Sequence, residues 1–255
     1  MITRIDLNSD LGEGFGPWKM GDDGAMLGVV TSTNIACGAH AGDPETMYKT
    51  LVAAKANNVV VGAHPGYADR EGFGRRIIPM TTTEIERLVA AQIGALMGVA
   101  ALAGTKVRYV KPHGALSNVA MYDRSVADAI VRAVKAVSRD LALLAISGTC
   151  LETAAAREIK VFSEIFADRT YLATGQLAPR SHEGAVIHDK IVAGARLVEF
   201  MSTSLMPTLD GPPVRLDAHS ICVHGDNEGA VAMAHYVRSE LTRVGVAIAP
   251  FLSPF

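Results

Sequence analysis

The sequence predicts an α/β fold arranged as a closed or nearly closed (β/α) barrel, with a doubly wound open sheet as the alternative. Three observations carry this expectation. Seven short β-branched runs, "ITRIDLN", "TSTNIACG", "NVVVGAHP", "KVRYVKPHG", "LALLAISG", "KVFSEIFADR" and "SICVHGD", alternate with stretches of helical pattern. Several runs are apolar on both faces, as strands of a parallel sheet covered by helices are. With 255 residues, 49% of them hydrophobic, the chain can bury one large core, and a single domain over residues 1–255 is expected. It has no linker, repeat or low-complexity tract.

The first strand opens "IDLNSDLGEGFG" (residues 5–16). Side chains of a strand alternate faces, so Asp6, Asn8 and Asp10 share one face while Ile5, Leu7 and Leu11 share the other, and Glu13 follows among glycines. The second strand leads to Asn34, Cys37 and His40, after which Asp43-Pro44 reads as an N-cap and first-turn proline. The third ends at His64 and is followed by "EGFGRR" (residues 71–76); Thr83 with Glu86 then reads as a capping box opening a long helix. The fourth ends in Lys111-Pro112-His113, and Asp123 caps "RSVADAIVRAVKAV". The fifth, "LALLAISG", is wholly apolar until its end. The sixth supplies Glu164, Asp168 and Arg169. The region from Thr170 to Asp217, with four prolines and mixed patterns, fits neither template. The seventh strand supplies His224 and Asp226, the latter an N-cap for the last helix.

In parallel α/β folds the carboxyl ends of the strands share one rim, where loops build the active site. These residues, scattered in sequence, are therefore expected to converge, with Asp6, Asn8 and Asp10 as the first wall of a polar pocket. Each also has a plainer reading. Asp43 and Asp226 suffice as caps, "DLGEGFG" as a turn, and a lone histidine after a strand as a satisfied structural residue. Four histidines at strand ends (His40, His64, His113, His224), each beside glycine or proline or one residue from it, favour a site. Cys37 and Cys222 read as buried packing residues.

The formal charge of −2, without blocks of like charge, offers no footprint for nucleic acid or an anionic membrane. Three cysteines far apart suggest neither a disulfide framework nor a C-x-x-C zinc site. The first strand follows directly on the N-terminus, and the most apolar stretch, Ile93 to Ala103, is half the length of a membrane span. A soluble cytoplasmic protein is expected. Carboxylates and imidazoles together can hold a divalent metal or act as general acid and base. No compact metal motif, G-x-S-x-G or G-x-x-x-x-G-K-[ST] is present, while "EGFGRR" offers amides and guanidinium groups for a carboxylate or phosphate.

"IDLNSDLGEGFG", "NIACGAHAGDP", "GAHPGYADREGFGRR", "VKPHGALSN", "EIFADRTY", "GQLAPRSHEGAVI" and "ICVHGDN", in this order, resemble the LamB/YcsF family from Ile5 to about Val246. Two departures are Ala39, where an aromatic is common, and Ser117, where tyrosine is common. The resemblance implies a distorted seven-stranded (β/α) barrel related to glycoside hydrolases and polysaccharide deacetylases. It also implies ATP-dependent opening of 5-oxo-L-proline to L-glutamate together with 5-oxoprolinase subunits B and C, which would bind much of the ATP. A metal-dependent deacetylase of N-acetylated sugars is one alternative and a noncatalytic binding subunit the other; 5% aromatic residues and one tryptophan, Trp18, argue against a sugar-stacking groove. For a small anionic substrate, Asp10 with His40 or His64 is expected to activate water and His113 to donate a proton. Lys111, with Arg75 or Arg76 as alternates, is expected to hold the carboxylate. Asn8 and His224 complete the expected binding set, and Asp10, His40 and His64 are the expected ligands if a divalent metal is bound.

Overall fold

The computed structural model describes residues 1–225 and 229–253. All seven expected strands form: β1 (Arg4–Leu11), β2 (Ser32–Ala36), β3 (Val60–His64), β4 (Val107–Val110), β5 (Ala142–Ile146), β6 (Val161–Phe166) and β9 (Ser220–Cys222). They run parallel in the order β1-β2-β3-β4-β5-β6-β9, and β9 pairs with β1 to close the barrel. Three short strands were not expected. β7 (Leu205–Met206) and β8 (Val214–Arg215) form a separate antiparallel hairpin within the Thr170 to Asp217 region, and β10 (Ala247–Ile248) adds to the start of β1.

The helices follow from local chemistry. α1 (Asp23–Leu27) is short. α2 (Pro44–Ala56) is capped by Asp43, whose carboxylate accepts from the amides of Glu45 and Thr46, as expected. α3 (Thr82–Leu102) buries Ile85, Val89, Ile93, Leu96 and Ala100, a stripe at helical spacing turned to the core. Its capping box is Thr81 with Glu84, two residues earlier than the expected Thr83 with Glu86. In "TTTE" the Glu84 carboxylate reaches back to both the amide and hydroxyl of Thr81, so the first threonine of the run takes the cap. α4 (Gly114–Ala120) and α5 (Arg124–Val137) follow β4, the latter capped by Asp123 as expected. α6 (Cys150–Ala155), α7 (Lys190–Thr203) and α8 (Ala230–Arg243) complete the cover. The cap expected at Asp226 lies outside the described residues.

The barrel interior is polar to an unusual depth. Asp6, Asn8, Asn34, Glu164 and Ser220 are fully buried there, and the pairing shifts register at Gly62 on β3. A Cβ at Gly62 would lie inside the Tyr109 ring, whose hydroxyl donates to Asn34 Oδ1 at 2.7 Å. Asn34 Nδ2 donates onward to Asn8 Oδ1 and Asp10 Oδ1, at 2.7 and 2.8 Å. Asn8 Nδ2 donates to Glu164 Oε1 and Ser220 Oγ. Thr31, Ser32 and Ser220 hydroxyls all donate to the Asp6 carboxylate. Each of these side chains thus has a hydrogen-bond partner, Glu164 through Oε1 alone, which makes its burial tolerable.

Candidate functional site

The carboxyl ends of the strands surround a cavity of about 480 Å³. Asp10, Glu13, His64, Lys111, His113, Arg75, Arg169, Arg180 and His224 contribute its charged and imidazole lining. Of Asp10, His40, His64, Lys111, His113 and His224, six of the strand-end residues expected to converge, five line it directly. The sixth, His40, sits just behind: its ring stacks on His113 with centroids 3.8 Å apart, and it lines a smaller adjoining cavity that shares Glu13 and Phe73 with the first.

Two of the expected binding residues are elsewhere. Asn8 is sealed in the barrel interior, committed to Glu164, Ser220 and Asn34, and does not line the cavity. Arg76 turns away from it, its guanidinium ion-paired to the Asp69 carboxylate, whereas its neighbour Arg75 lines the cavity. Lys111 Nζ stands 3.0 Å from both Asp10 Oδ1 and Glu164 Oε1 and 3.1 Å from Cys222 Sγ. Its charge is therefore committed to two buried acids. Cys222 is not simple packing, since it takes one of the lysine's three donors.

Burial favours neutral forms, and each charge here is held by its neighbours. Burial opposes the Asp10 charge, but His64 and Lys111 more than offset this and hold the carboxyl well below its usual range. Burial likewise opposes the Lys111 charge, and Asp10 and Cys222 outweigh it and raise the lysine well above its usual value. For Glu164 burial wins over Lys111, and its carboxyl is raised. Burial, with His64 beside it, pushes His40 down to about 3, and burial with His40 and His64 also lowers His113 strongly.

Glu13, His40, His64 and His113 bring one ligand atom each to within 4.8 Å of one another. Their tautomers can be read from their outer partners. His64 Nδ1 lies 2.7 Å from the Lys111 carbonyl, and His113 Nε2 lies 2.8 Å from the Phe73 carbonyl. A carbonyl only accepts, so both outer nitrogens carry hydrogen. The inner nitrogens, His64 Nε2 and His113 Nδ1, then face each other at 3.0 Å as two lone pairs when both rings are neutral. Glu13 Oε1 lies 3.7 Å from His40 Nε2 and 3.8 Å from His113 Nδ1, Asp10 Oδ2 lies 3.4 Å from His64 Nε2, and both His40 nitrogens are buried without a hydrogen bond. Electron-rich atoms converging in this way require a cation between them, either a proton or a metal. Tetrahedral zinc with bonds of about 2.0–2.2 Å sets its ligand atoms roughly 3.3–3.6 Å apart, close to these separations. Histidines whose outer N–H is held by a carbonyl are the usual metal-ligating arrangement. This group of four includes two of the three expected ligands, His40 and His64; the third, Asp10, lies beside it, shares its charge with Lys111 and is grouped with Cys222 and His224 instead.

Across the cavity, His224 Nδ1 approaches both oxygens of the buried Asp168 carboxylate, at 2.7 and 2.9 Å. Burial would raise Asp168, but His224 outweighs it and the carboxyl is lowered. His224 Nε2 lies 3.3 Å from Arg180 Nη2, which can only donate, so in the neutral ring the hydrogen belongs on Nδ1, facing Asp168. Arg169 is pushed down to about 10 by burial, and next by Arg180.

The sequence from residue 5 to residue 254 matches the LamB/YcsF family. The chain belongs to the LamB/YcsF family. Among LamB/YcsF-like relatives, the 5-oxoprolinase A subunit of Rhodopseudomonas palustris (strain BisA53) is 49% identical over 252 residues, covering 98% of this chain and 99% of its own. The crystal structure of the lactam utilization protein from Thermus thermophilus superposes with a TM-score of 0.92 at 39% identity, over 97% of this chain and 100% of that one. The solved T48 deacetylase with substrate superposes at TM-score 0.51 and 14% identity, over 98% of this chain and 88% of that one, and so shares the barrel fold. Two wall residues of this LamB/YcsF chain, Arg180 and Gln176, are not singled out by the sequence: no periodicity marks the irregular region after β6, and their one signal is their place in "GQLAPRSHEGAVI". Glu13 carried a signal, an acid set between glycines just past a strand end.

Proposed function

We propose that this chain is the A subunit of an ATP-dependent 5-oxoprolinase, which opens 5-oxo-L-proline to L-glutamate as ATP becomes ADP and phosphate. In this reading it works in the cytoplasm with subunits B and C. The observation that carries the proposal is the full-length likeness to 5-oxoprolinase A subunits, 49% identical over 98% of the chain. A five-membered lactam is an unstrained amide, so coupling to ATP supplies the drive for opening it. This chain has no G-x-x-x-x-G-K-[ST] loop, and in this reading the partner subunits bind most of the ATP.

The geometry supports a division of roles. Arg75 and Arg180 on the cavity wall would hold the substrate carboxylate, a task left to them because Lys111 serves Asp10 and Glu164. His113 has one nitrogen on Phe73 and the other in the histidine cluster, so proton transfer passes to His224. Its Nε2 lone pair, freed as Arg180 turns to the substrate carboxylate, would take a proton from water as oxygen bonds to the ring carbonyl carbon. The C–N bond then breaks, and the same proton goes to the departing nitrogen, which becomes the amino group of glutamate. Asp168 keeps the Nδ1 hydrogen in place and steadies the imidazolium formed in between. Asp10, ionised between Lys111 and His64, would orient the attacking water. Glu13, His40, His64 and His113 would hold a divalent metal, which when bound polarises oxygen and lowers the pKa of water.

Combining the purified chain with subunits B and C, ATP and 5-oxo-L-proline should give glutamate and ADP, with little turnover by the chain alone. Failure of the complete mixture to form glutamate, or release of acetate from an N-acetylated sugar by the chain alone, refutes the reading.

A further inference from the structure

The turn formed by residues 69–76 contains a bulky residue in a conformation that bulky residues rarely adopt. Phe73 has φ +54°, in the left-handed region, and its neighbour Gly74 has φ +63°. Such a conformation in an aromatic residue costs free energy and persists only where its surroundings over-determine it. They do so here. The amide of Phe73 donates to the Arg70 carbonyl, that of Gly74 to the Asp69 carbonyl and that of Arg75 to the Gly72 carbonyl. The Asp69 carboxylate accepts from the Gly72 amide and from Arg76, and the Gly74 carbonyl accepts from Ala115. A Cβ at Gly74 would come within 2.8 Å of His40 Cβ and 2.9 Å of His113 Cδ2, so only glycine allows the turn to press against the two histidines.

We propose that Phe73 is a positioning residue for the histidine cluster: its left-handed backbone aims its carbonyl at His113 Nε2 and so fixes the tautomer that presents Nδ1 to Glu13 and His64. The proposal deepens the reading of Glu13, His40, His64 and His113 as a cation site and rests on it. The carbonyl of residue 73 is the hydrogen-bond partner of His113 Nε2, at 2.8 Å, and only an N–H can satisfy it. With φ in the ordinary negative range the peptide would turn and that acceptor would leave the ring. The Phe73 ring adds a second restraint. It stands edge-on to His40 and His113, with centroids 5.7 and 5.2 Å away, and lines both cavities at the point where they meet. Arg76, which does not reach the substrate cavity, finds its role here as the brace on Asp69.

Three variants separate backbone from ring. Phe73→Gly can keep the left-handed backbone without steric cost but lacks the ring; Phe73→Ala lacks the ring and retains the strain; Phe73→Pro has φ locked at a negative value by its own ring and cannot make the turn. Nitrogen-15 NMR of the histidine rings in the metal-free chain reports the tautomer directly. His113 should carry its hydrogen on Nε2 in the natural chain and in Phe73→Gly, and should lose that preference in Phe73→Pro. Titration with zinc alone should show affinity roughly 10- to 100-fold weaker in Phe73→Pro, the usual size of such an outer-partner effect, with Phe73→Gly nearer to the natural chain. If the natural chain holds the hydrogen of His113 on Nδ1, or if Phe73→Pro folds and keeps both tautomer and zinc affinity, the proposal is overturned. If Phe73→Pro does not fold, the comparison of Phe73→Gly with Phe73→Ala decides: a greater loss of the Nε2–H form in Phe73→Gly contradicts it. Failure of the natural chain to bind zinc would instead overturn the cation-site reading, while the NMR measurement still tests the role of the carbonyl.

Discussion

Asp6 at the floor of the barrel should make folding stability depend on pH in a way that Asp6→Asn removes. Burial raises its carboxyl from 3.8 to about 6, against hydrogen bonds from Ser220, Ser32 and Thr31 that favour the charged form. The folded state therefore holds a proton that the unfolded chain has released. Its contribution is fully present below pH 3.8 and is lost as pH rises through 6. The two pKa values differ by enough to cost roughly 3 kcal/mol once both states are ionised, and roughly 2 kcal/mol of this falls between pH 4 and pH 7. In Asp6→Asn the amide oxygen can still accept from Thr31 and Ser32, at the 2.5 and 2.7 Å seen for Asp6 Oδ1. The new NH2 faces Ser220, which already accepts from Asn8, so one hydroxyl hydrogen is displaced at a cost of about 1–3 kcal/mol. That cost does not vary with pH. The variant should accordingly be less stable than the natural chain at pH 4 and regain roughly 2 kcal/mol relative to it at pH 7. Urea unfolding of both proteins at several values from pH 4 to 7, with unchanged m-values, measures this difference. A difference that stays constant across the range would show that Asp6 is ionised in the fold throughout and would refute the reasoning.

Asp168→Asn should lower kcat of the reconstituted complex about 100-fold with little change in KM, because it removes the charge that steadies His224 without touching substrate. Arg180→Ala should raise KM for 5-oxoproline at least about tenfold, the worth of one charge-assisted hydrogen bond, and Arg132→Ala, on the outer face of α5 and paired to Glu86, should leave KM unchanged; initial-rate kinetics distinguish them. Lys111→Met strands Asp10 and Glu164 and should cost about 3–5 kcal/mol in denaturant unfolding, partly recovered by Lys111→Met with Glu164→Gln, whereas equal stability of the single and double variants would mean the acids had already been neutral.

What the chain discloses in advance, and what it withholds, follows from the range of the forces involved. Strand alternation is local, so the inward face of Asp6, Asn8 and Asp10 was legible, as was the shared rim of His64, Lys111, His113 and His224 once the strands were taken as parallel. Depth along the barrel was not. Asn8 and Asp10 lie on one face two residues apart, yet β9 and β6 seal Asn8 under Ser220 and Glu164 while Asp10 opens to the cavity. Arg75 and Arg76 are adjacent and chemically alike. Only the turn through Phe73 and Gly74, with Asp69 waiting for one guanidinium, sends them in different directions. A left-handed phenylalanine has no local signature, since nothing in "EGFGRR" favours that conformation at Phe73. Its cause is tertiary, in the space that His40 and His113 leave for Gly74. The same logic explains why Lys111 looked available for substrate. A lysine ending a strand advertises a charge, but the acids that use it, Asp10 and Glu164, come from strands about 100 residues before it in sequence and about 50 after. Partners that meet only through barrel closure cannot be paired from spacing, and the division of roles between the histidine cluster and the Asp168–His224 pair is decided there.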